Sequence, residues 1–170
     1  MTDLHQLAKT GAGLSLRPEE PCDREFLARL YASTRKDELL LTGWSSEQKA
    51  DFCAQQFRAQ TIHYDRFYAQ VTRNIVLVDA AEAGRLYLFR NEADLRIVDI
   101  SLLPQYRGQG VGTALIRSVI EEAASNGCFV SLHVDMFNPA RRLYERLGFR
   151  QVSNDGVCLL MHRAGSPALT

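Results

Sequence analysis

Residues 102–123 read LLPQYRGQGVGTALIRSVIEEA, and no other stretch constrains the fold as strongly. A strand-like run ends, Arg107 follows, and Gly108, Gly110 and Gly112 alternate. Helical spacing then begins at once, with Leu115, Ile116, Val119, Ile120 and Ala123 on one face. Glycine is a poor helix former, so three at a helix start need a physical reason. A helix N-terminus presents unpaired N–H groups and a partial positive charge. Without β-carbons an anion can approach that backbone directly. Arg107 adds charge and fork-shaped donors suited to phosphate. A strand, a glycine turn with a cation and a helix make the layout of a phosphate site. The plainer alternative is that the glycines only fold the turn. Two phosphate motifs are excluded. There is no GxxxxGK[ST], and GxGxG is not the GxGxxG of a dinucleotide fold.

The crossover through this helix places IVDISLL and the later CFVSLHV side by side and parallel. Ahead of it, LSLRP alternates as a short strand, and Asp23 to about Arg35 carries a helical stripe of Phe26, Leu27, Leu30 and Tyr31. KDELLLTGW reads as a connection. Ser45 and Gln48 form a capping box for a long helix reaching about Tyr64. AQVTRNIVLVD, GRLYLFR and DLRIVDISLL, split by AAEAG and NEA, predict a three-strand antiparallel meander. Asn126-Gly127 closes the glycine-led helix, Asn138-Pro139 opens a short one, and FRQV-SNDG-VCLLMHR makes a final hairpin. The order predicts an α+β fold: a mixed, mostly antiparallel sheet of about seven strands with helices on both faces, a three-layer α/β/α arrangement. Residues 1–13 read as a flexible tail, 14–163 as one domain and 164–170 as a second tail.

Twenty basic residues cancel twenty acidic ones, so neither nucleic acid nor a membrane surface is indicated as a partner. The start lacks the charged and apolar blocks of a signal peptide. Cys22, Cys53, Cys128 and Cys158 are scattered without a CxxC pair. They read as reduced thiols of a cytoplasmic protein, with no metal site.

Gln105-Tyr106-Arg107-Gly108-Gln109-Gly110 matches the [QR]-x-x-G-x-[GA] signature of the GNAT superfamily of N-acetyltransferases. Downstream, FNPARRLYERLGF at 137–149 resembles that superfamily's Asn…Leu-Tyr-x-x-x-Gly-Phe segment. The resemblance is strong over residues 94–152 and rests on element order before that. It implies the acyl-CoA N-acyltransferase type of fold, with its parallel pair splayed, and acetyl-CoA or coenzyme A as co-substrate. The signature turn would hold the pyrophosphate through Arg107, Gly108, Gln109, Gly110, Val111, Gly112 and Thr113. The pantetheine arm would run along Ile100 to Leu103, with a backbone N–H near Leu102 as oxyanion donor. Asn138 matches a position that touches the cofactor arm, and it is also a plain helix cap.

Acyl transfer from a thioester to an amine needs a deprotonated amine, a stabilised oxyanion and a protonated leaving thiolate. Tyr144 matches the family's general-acid tyrosine. A phenol of pKa ~10 suits a leaving thiol of ~8.5. The alternative is a packed aromatic beside Leu143 and Leu147. Candidate bases are Asp94 and Asp99 on the strand before the signature and His133 on the next, where it shares a face with Asp135. Arg35, Glu38 and Trp44, in the connection between the first two helices, are the candidate acceptor contacts. A solvated loop with one anchoring tryptophan explains them equally. The resulting expectation is direct transfer of an acetyl group to a primary amine on a small molecule or peptide, with a homodimer as the expected assembly. Two readings compete with it. One is a silent acyl-CoA-binding module on the same site. The other is a nucleotide-binding protein of another fold, which LYERLGF argues against.

Overall fold

The computed structural model describes residues 13–164. The expected tails therefore lie outside the described residues, apart from Gly13 and Ala164. The elements are β1 (Leu14–Pro18), α1 (Arg24–Leu40), α2 (Ser46–Phe67), β2 (Thr72–Val78), β3 (Ala81–Arg90), β4 (Asp94–Leu102), α3 (Val111–Asn126), β5 (Phe129–Asp135), α4 (Arg141–Arg146), β6 (Arg150–Asn154) and β7 (Cys158–Arg163). One seven-stranded sheet runs in the order β1-β2-β3-β4-β5-β7-β6. Only β4 and β5 pair in parallel. Among the described residues, no helix is long and apolar enough to cross a membrane.

Two apolar layers hold the sheet. Leu115, Ile116, Val119 and Ala123 of α3 pack with Tyr144 of α4 on Leu86, Leu88, Leu95, Ile97, Val130 and Leu132. Phe26, Leu27, Leu30 and Tyr31 of α1 pack with Phe57 of α2 on Ile75. Consecutive residues of β2 serve opposite layers, Ile75 one and Val76 the other, as strand alternation requires.

Local chemistry explains most boundaries. The Ser45 hydroxyl accepts from the Gln48 amide at 3.2 Å, and Gln48 Oε1 accepts from the Ser45 amide at 2.8 Å, so both halves of the capping box form. Several boundaries differ from the sequence expectation; Ser153 and Asn154, expected in the final turn, belong to β6. Helix α1 runs on to Leu40, because an Arg35–Glu38 pair at 3.1 Å and a buried Leu39 sustain it. Lys36 to Leu40 is therefore helix, not connection. Helix α2 continues to Phe67. Strand β3 starts at Ala81, because Asp79 and Ala80 (φ 50° and 66°) make the turn by themselves. Alanine is a rare occupant of positive φ, so AAEAG carried no signal for so tight a turn.

An irregularity in β4 positions everything that follows. Tyr87 faces Asp99 but Leu88 faces Ile97, so Val98 is an extra residue. Before it, Leu95 and Ile97 enter the α3-side core; beyond it, Ile100 and Leu102 do. The bulge therefore turns Asp99 and Ser101 toward the α1/α2 face. Pairing with β5 stops at the same point, at Ile97–Leu132. A bulge bends and twists its strand, which accounts for β4 and β5 parting there.

Gly84 secures the far end of β4. A β-carbon on Gly84 would lie 2.1 Å from the Ser101 carbonyl oxygen. Gly84→Ala is expected to lower stability by about 1–3 kcal/mol. Urea denaturation would show this as a lower midpoint with an unchanged slope; an unchanged midpoint would contradict the packing argument.

Candidate active site

The glycine turn leaves a row of free donors. Among the described residues, the amides of Gly108 to Thr113 find no hydrogen-bond acceptor, and no side chain caps α3. Gly108 (φ 71°) and Gly110 (φ 84°) hold the left-handed backbone that aims these amides outward, and an added β-carbon at either would meet nothing within 4 Å. Gly112 differs. Its backbone is helical, and a β-carbon there would touch Leu102 and Leu143 at ordinary distances. Two of the three glycines are thus required by conformation. The row of amides at the positive end of a 16-residue helix can bind an anion such as a diphosphate.

Arg107 departs from the expectation for it. Its amide donates to the Pro104 carbonyl at 3.2 Å. Its Nε donates to the Leu102 carbonyl at 2.8 Å and its Nη2 to the Ser33 hydroxyl at 3.2 Å. The guanidinium ties the end of β4 to α1. Gln109 likewise braces the turn, its side-chain amide donating to the Gln105 carbonyl.

Beyond Ile97, β4 has no strand partner on its β5 side among the described residues. Ile100 and Leu102 pack into the α3-side core and Leu103 against the α1/α2 layer. What these residues can offer a ligand is backbone, in the manner of an added strand. The Leu103 amide is already taken by the Ala83 carbonyl at 2.8 Å. Asn138 Oδ1 accepts from the Ala140 amide at 2.9 Å, so its carbonyl caps the turn into α4 and only its NH₂ stays available.

Tyr144 is 7% exposed and packs edge-on against Phe149 at 5.7 Å. Its hydroxyl makes no hydrogen bond with the described residues. Burial, aided by the negative charge of Asp99, raises its pKa to about 12. That coupling crosses the sheet. Tyr144 belongs to the α3-side core, whereas Asp99 faces α2, where Tyr64 donates to its Oδ2 at 2.7 Å. Asp99 lies on β4 two residues past its last pairing with β5, and Tyr144 packs in the core on the other face of the sheet.

The other two candidate bases lie elsewhere. Asp94 sits in the closed part of the pair, opposite Phe129, and takes the Ser131 hydroxyl at 2.7 Å. His133 is exposed on β5, and partial burial together with Arg96 holds its pKa below the usual histidine value. Arg35 and Glu38 bond each other on the last turns of α1. Trp44, 42% exposed, rests edge-on against Phe52. Sequence reasoning missed Arg85, Tyr64 and Ser101, which donate to Asp99, and Gln60, which accepts from Arg85. The available signal was Arg85 within the apolar run GRLYLFR, a charge on a strand too hydrophobic to be exposed.

Three phenols, on both faces of the sheet, report on the site. Tyr64 is raised by burial and then by Asp99. Tyr87 is raised by burial and, against the pull of Arg85, by its hydrogen bond to Glu19. Tyr144 is raised to about 12. In the unfolded chain they ionise near ~10, so their contribution to stability is full below that pH and is lost as the pH climbs through the higher folded values. An alkaline titration followed by circular dichroism is expected to show unfolding beginning above pH ~10, with the absorbance of these three tyrosinates rising in the same transition. Ionisation of more than three of the six tyrosines before unfolding would contradict the burial of these hydroxyls.

The family model described as acetyltransferase (GNAT) family matches residues 31–149. Thialysine N-epsilon-acetyltransferase of Mus musculus is 42% identical over 57 residues, which is 32% of this chain and 34% of that protein. The chain thus spans about a third of the length of that curated relative. Two crystal structures share the fold. PaiA N-acetyltransferase from Thermoplasma acidophilum, in complex with coenzyme A, superposes with a TM-score of 0.67 at 16% identity, covering 89% of this chain and 98% of that one. Spermidine N-acetyltransferase from Vibrio cholerae, in complex with coenzyme A and spermine, gives 0.64 at 21% identity, covering 93% and 99%.

Proposed function

The chain belongs to the GNAT acetyltransferase family, and from that premise we propose that it transfers an acetyl group from acetyl-CoA directly to a primary amine. The observation that carries this reading is the row of acceptor-free amides from Gly108 to Thr113 beside the unpaired end of β4. The amides suit the diphosphate of the carrier, and the open strand edge suits its amide-bearing arm. The co-substrate brings an activated thioester. The chain's own groups do the rest. Backbone near Leu102 lines the carbonyl, and Tyr144 gives its proton to the departing sulfur. Asp99 faces the amine as it enters the opening. Its carboxylate accepts from Arg85, Tyr64 and Ser101, so it serves better to draw in an ammonium than to act as a strong base. A water at the opening then takes the amine's proton. Asp94, hydrogen-bonded in the closed part of the strand pair, has no part in this reading.

The acceptor is a small amine or a peptide. Arg35, Glu38 and Trp44 are proposed to border it from α1 and the segment after it. The reading includes a cytoplasmic location, supported by four free cysteines. It also includes a homodimer, for which the exposed edge strand β6 leaves a sheet edge open.

Two measurements test the proposal. Calorimetric titration with acetyl-CoA should show one site per chain. Thiol release should then appear with at least one of spermidine, thialysine, neomycin and a hexapeptide with a free N-terminal alanine. Binding without release for all four would favour a silent acyl-CoA-binding module, and no binding would remove the phosphate site as well.

A further inference from the structure

The α1/α2 face carries a buried charge pair whose cost the fold alone does not explain. Arg85 on β3 is 3% exposed. Its Nη2 donates to Asp99 Oδ2 at 2.7 Å and to Gln60 Oε1 at 2.8 Å. Its guanidinium lies over the rings of Tyr87 and Tyr64, at 5.1 and 5.9 Å. The Tyr64 hydroxyl donates to the same Asp99 oxygen, and the Ser101 hydroxyl donates to Oδ1 at 2.8 Å. Yet Arg85 Nε is fully enclosed and has no hydrogen-bond partner among the described residues.

A pair kept for stability would be built differently. Burying each ion costs several kcal/mol, and apolar residues of like volume commonly do as well or better. The orphaned Nε adds the desolvation cost of an unsatisfied buried donor. The place of the carboxylate accounts for the arrangement. Val98 turns Asp99 out of the α3-side core at the residue where β5 leaves β4. A carboxylate offers about four acceptor positions. Arg85, Tyr64 and Ser101 fill three and leave one open.

We propose that Arg85 is a positioning residue for acyl transfer: it fixes the Asp99 carboxylate at the parting of β4 and β5, with one acceptor position left for an N–H of the incoming ammonium. This rests on the acyl-transfer reading above. Arg85 touches no reacting atom and acts through Asp99. Tyr64 and Ser101 complete the grip, and Gln60 holds the guanidinium from α2.

The test compares Arg85→Met, Arg85→Lys and the double variant Arg85→Met/Asp99→Asn with the wild type. The probes are acetyl-CoA and whichever of the four amines above the wild type turns over best. Arg85→Met is expected to lower kcat/KM for the amine about 30-fold while the acetyl-CoA Kd stays within about twofold. Arg85→Lys, which keeps a charge beside Asp99, should recover most of that loss. The double variant should melt no lower than the wild type and remain as slow as Arg85→Met. Arg85→Met leaves a buried carboxylate short of its counter-ion; should it fail to fold, the double variant carries the test. The inference is overturned by wild-type kcat/KM in Arg85→Met or the double variant, by a lysine variant no better than methionine, or by a double variant that melts well below the wild type. A wild type that releases no thiol with any of the four amines overturns the acyl-transfer reading and this role with it.

Discussion

Valine in place of Gly110 is expected to weaken acetyl-CoA binding about 100-fold or more while the protein stays folded. Gly110 stands at φ 84°, immediately before α3. A β-branched residue is a true outlier there, and holding it costs on the order of 1–3 kcal/mol. The turn is exposed, and no neighbour lies within 4 Å of the new β-carbon. The backbone can therefore relax outward without disturbing either core. Relaxation breaks the common aim of the amides from Gly108 to Thr113. Loss of two charge-assisted bonds of roughly 1.5 kcal/mol each is about 3 kcal/mol, which is the expected loss of affinity. Asparagine tolerates positive φ far better than valine. Gly110→Asn should bind more tightly than Gly110→Val if conformation is the cause. Equal losses would mean that the added side chain blocks the ligand's space instead. Unchanged affinity in a folded Gly110→Val protein, measured by calorimetry, would remove the phosphate site from this turn.

The glycine turn was legible in the sequence because its constraint is local. Positive φ at Gly108 and Gly110 and a helix needing a start are written into six consecutive residues. The parallel crossover was legible for a related reason, since strand, helix and strand follow one another in the chain. The state of Asp99 was not legible. Its face depends on one extra residue at Val98, and a bulge leaves no compositional mark on DLRIVDISLL. Its partners come from β3, α2 and β4 itself, at sequence distances set by the tertiary fold. Arg107 is a different case. Its position beside the glycines suggested a phosphate ligand, yet the carbonyl of Leu102 and the hydroxyl of Ser33 were nearer partners for its fork. Spacing identifies which residues are adjacent to a turn. It does not say which way a long side chain leaves it.

Phenylalanine at position 144 is expected to lower kcat by roughly 100- to 1,000-fold with little change in acetyl-CoA affinity. The substitution removes one oxygen from a buried ring that packs on Phe149. That hydroxyl makes no hydrogen bond with the described residues, so the fold should lose nothing, and the melting temperature should hold or rise. The proton matters for the leaving group. A thiol of pKa ~8.5 departs readily as a thiolate but departs faster when a neighbouring acid supplies its proton. Tyr144 holds that proton firmly, because burial and the charge of Asp99 raise its pKa to about 12. Two consequences separate an acid from a packing residue. The wild type should show no fall in kcat from loss of the Tyr144 proton up to pH ~10, where the unfolding described above begins. Electron-poor thiol carriers, which leave without help, should lose less on Tyr144→Phe than coenzyme A does. A kcat equal to the wild type's, or an equal loss with every thiol, would return Tyr144 to the core as one more aromatic.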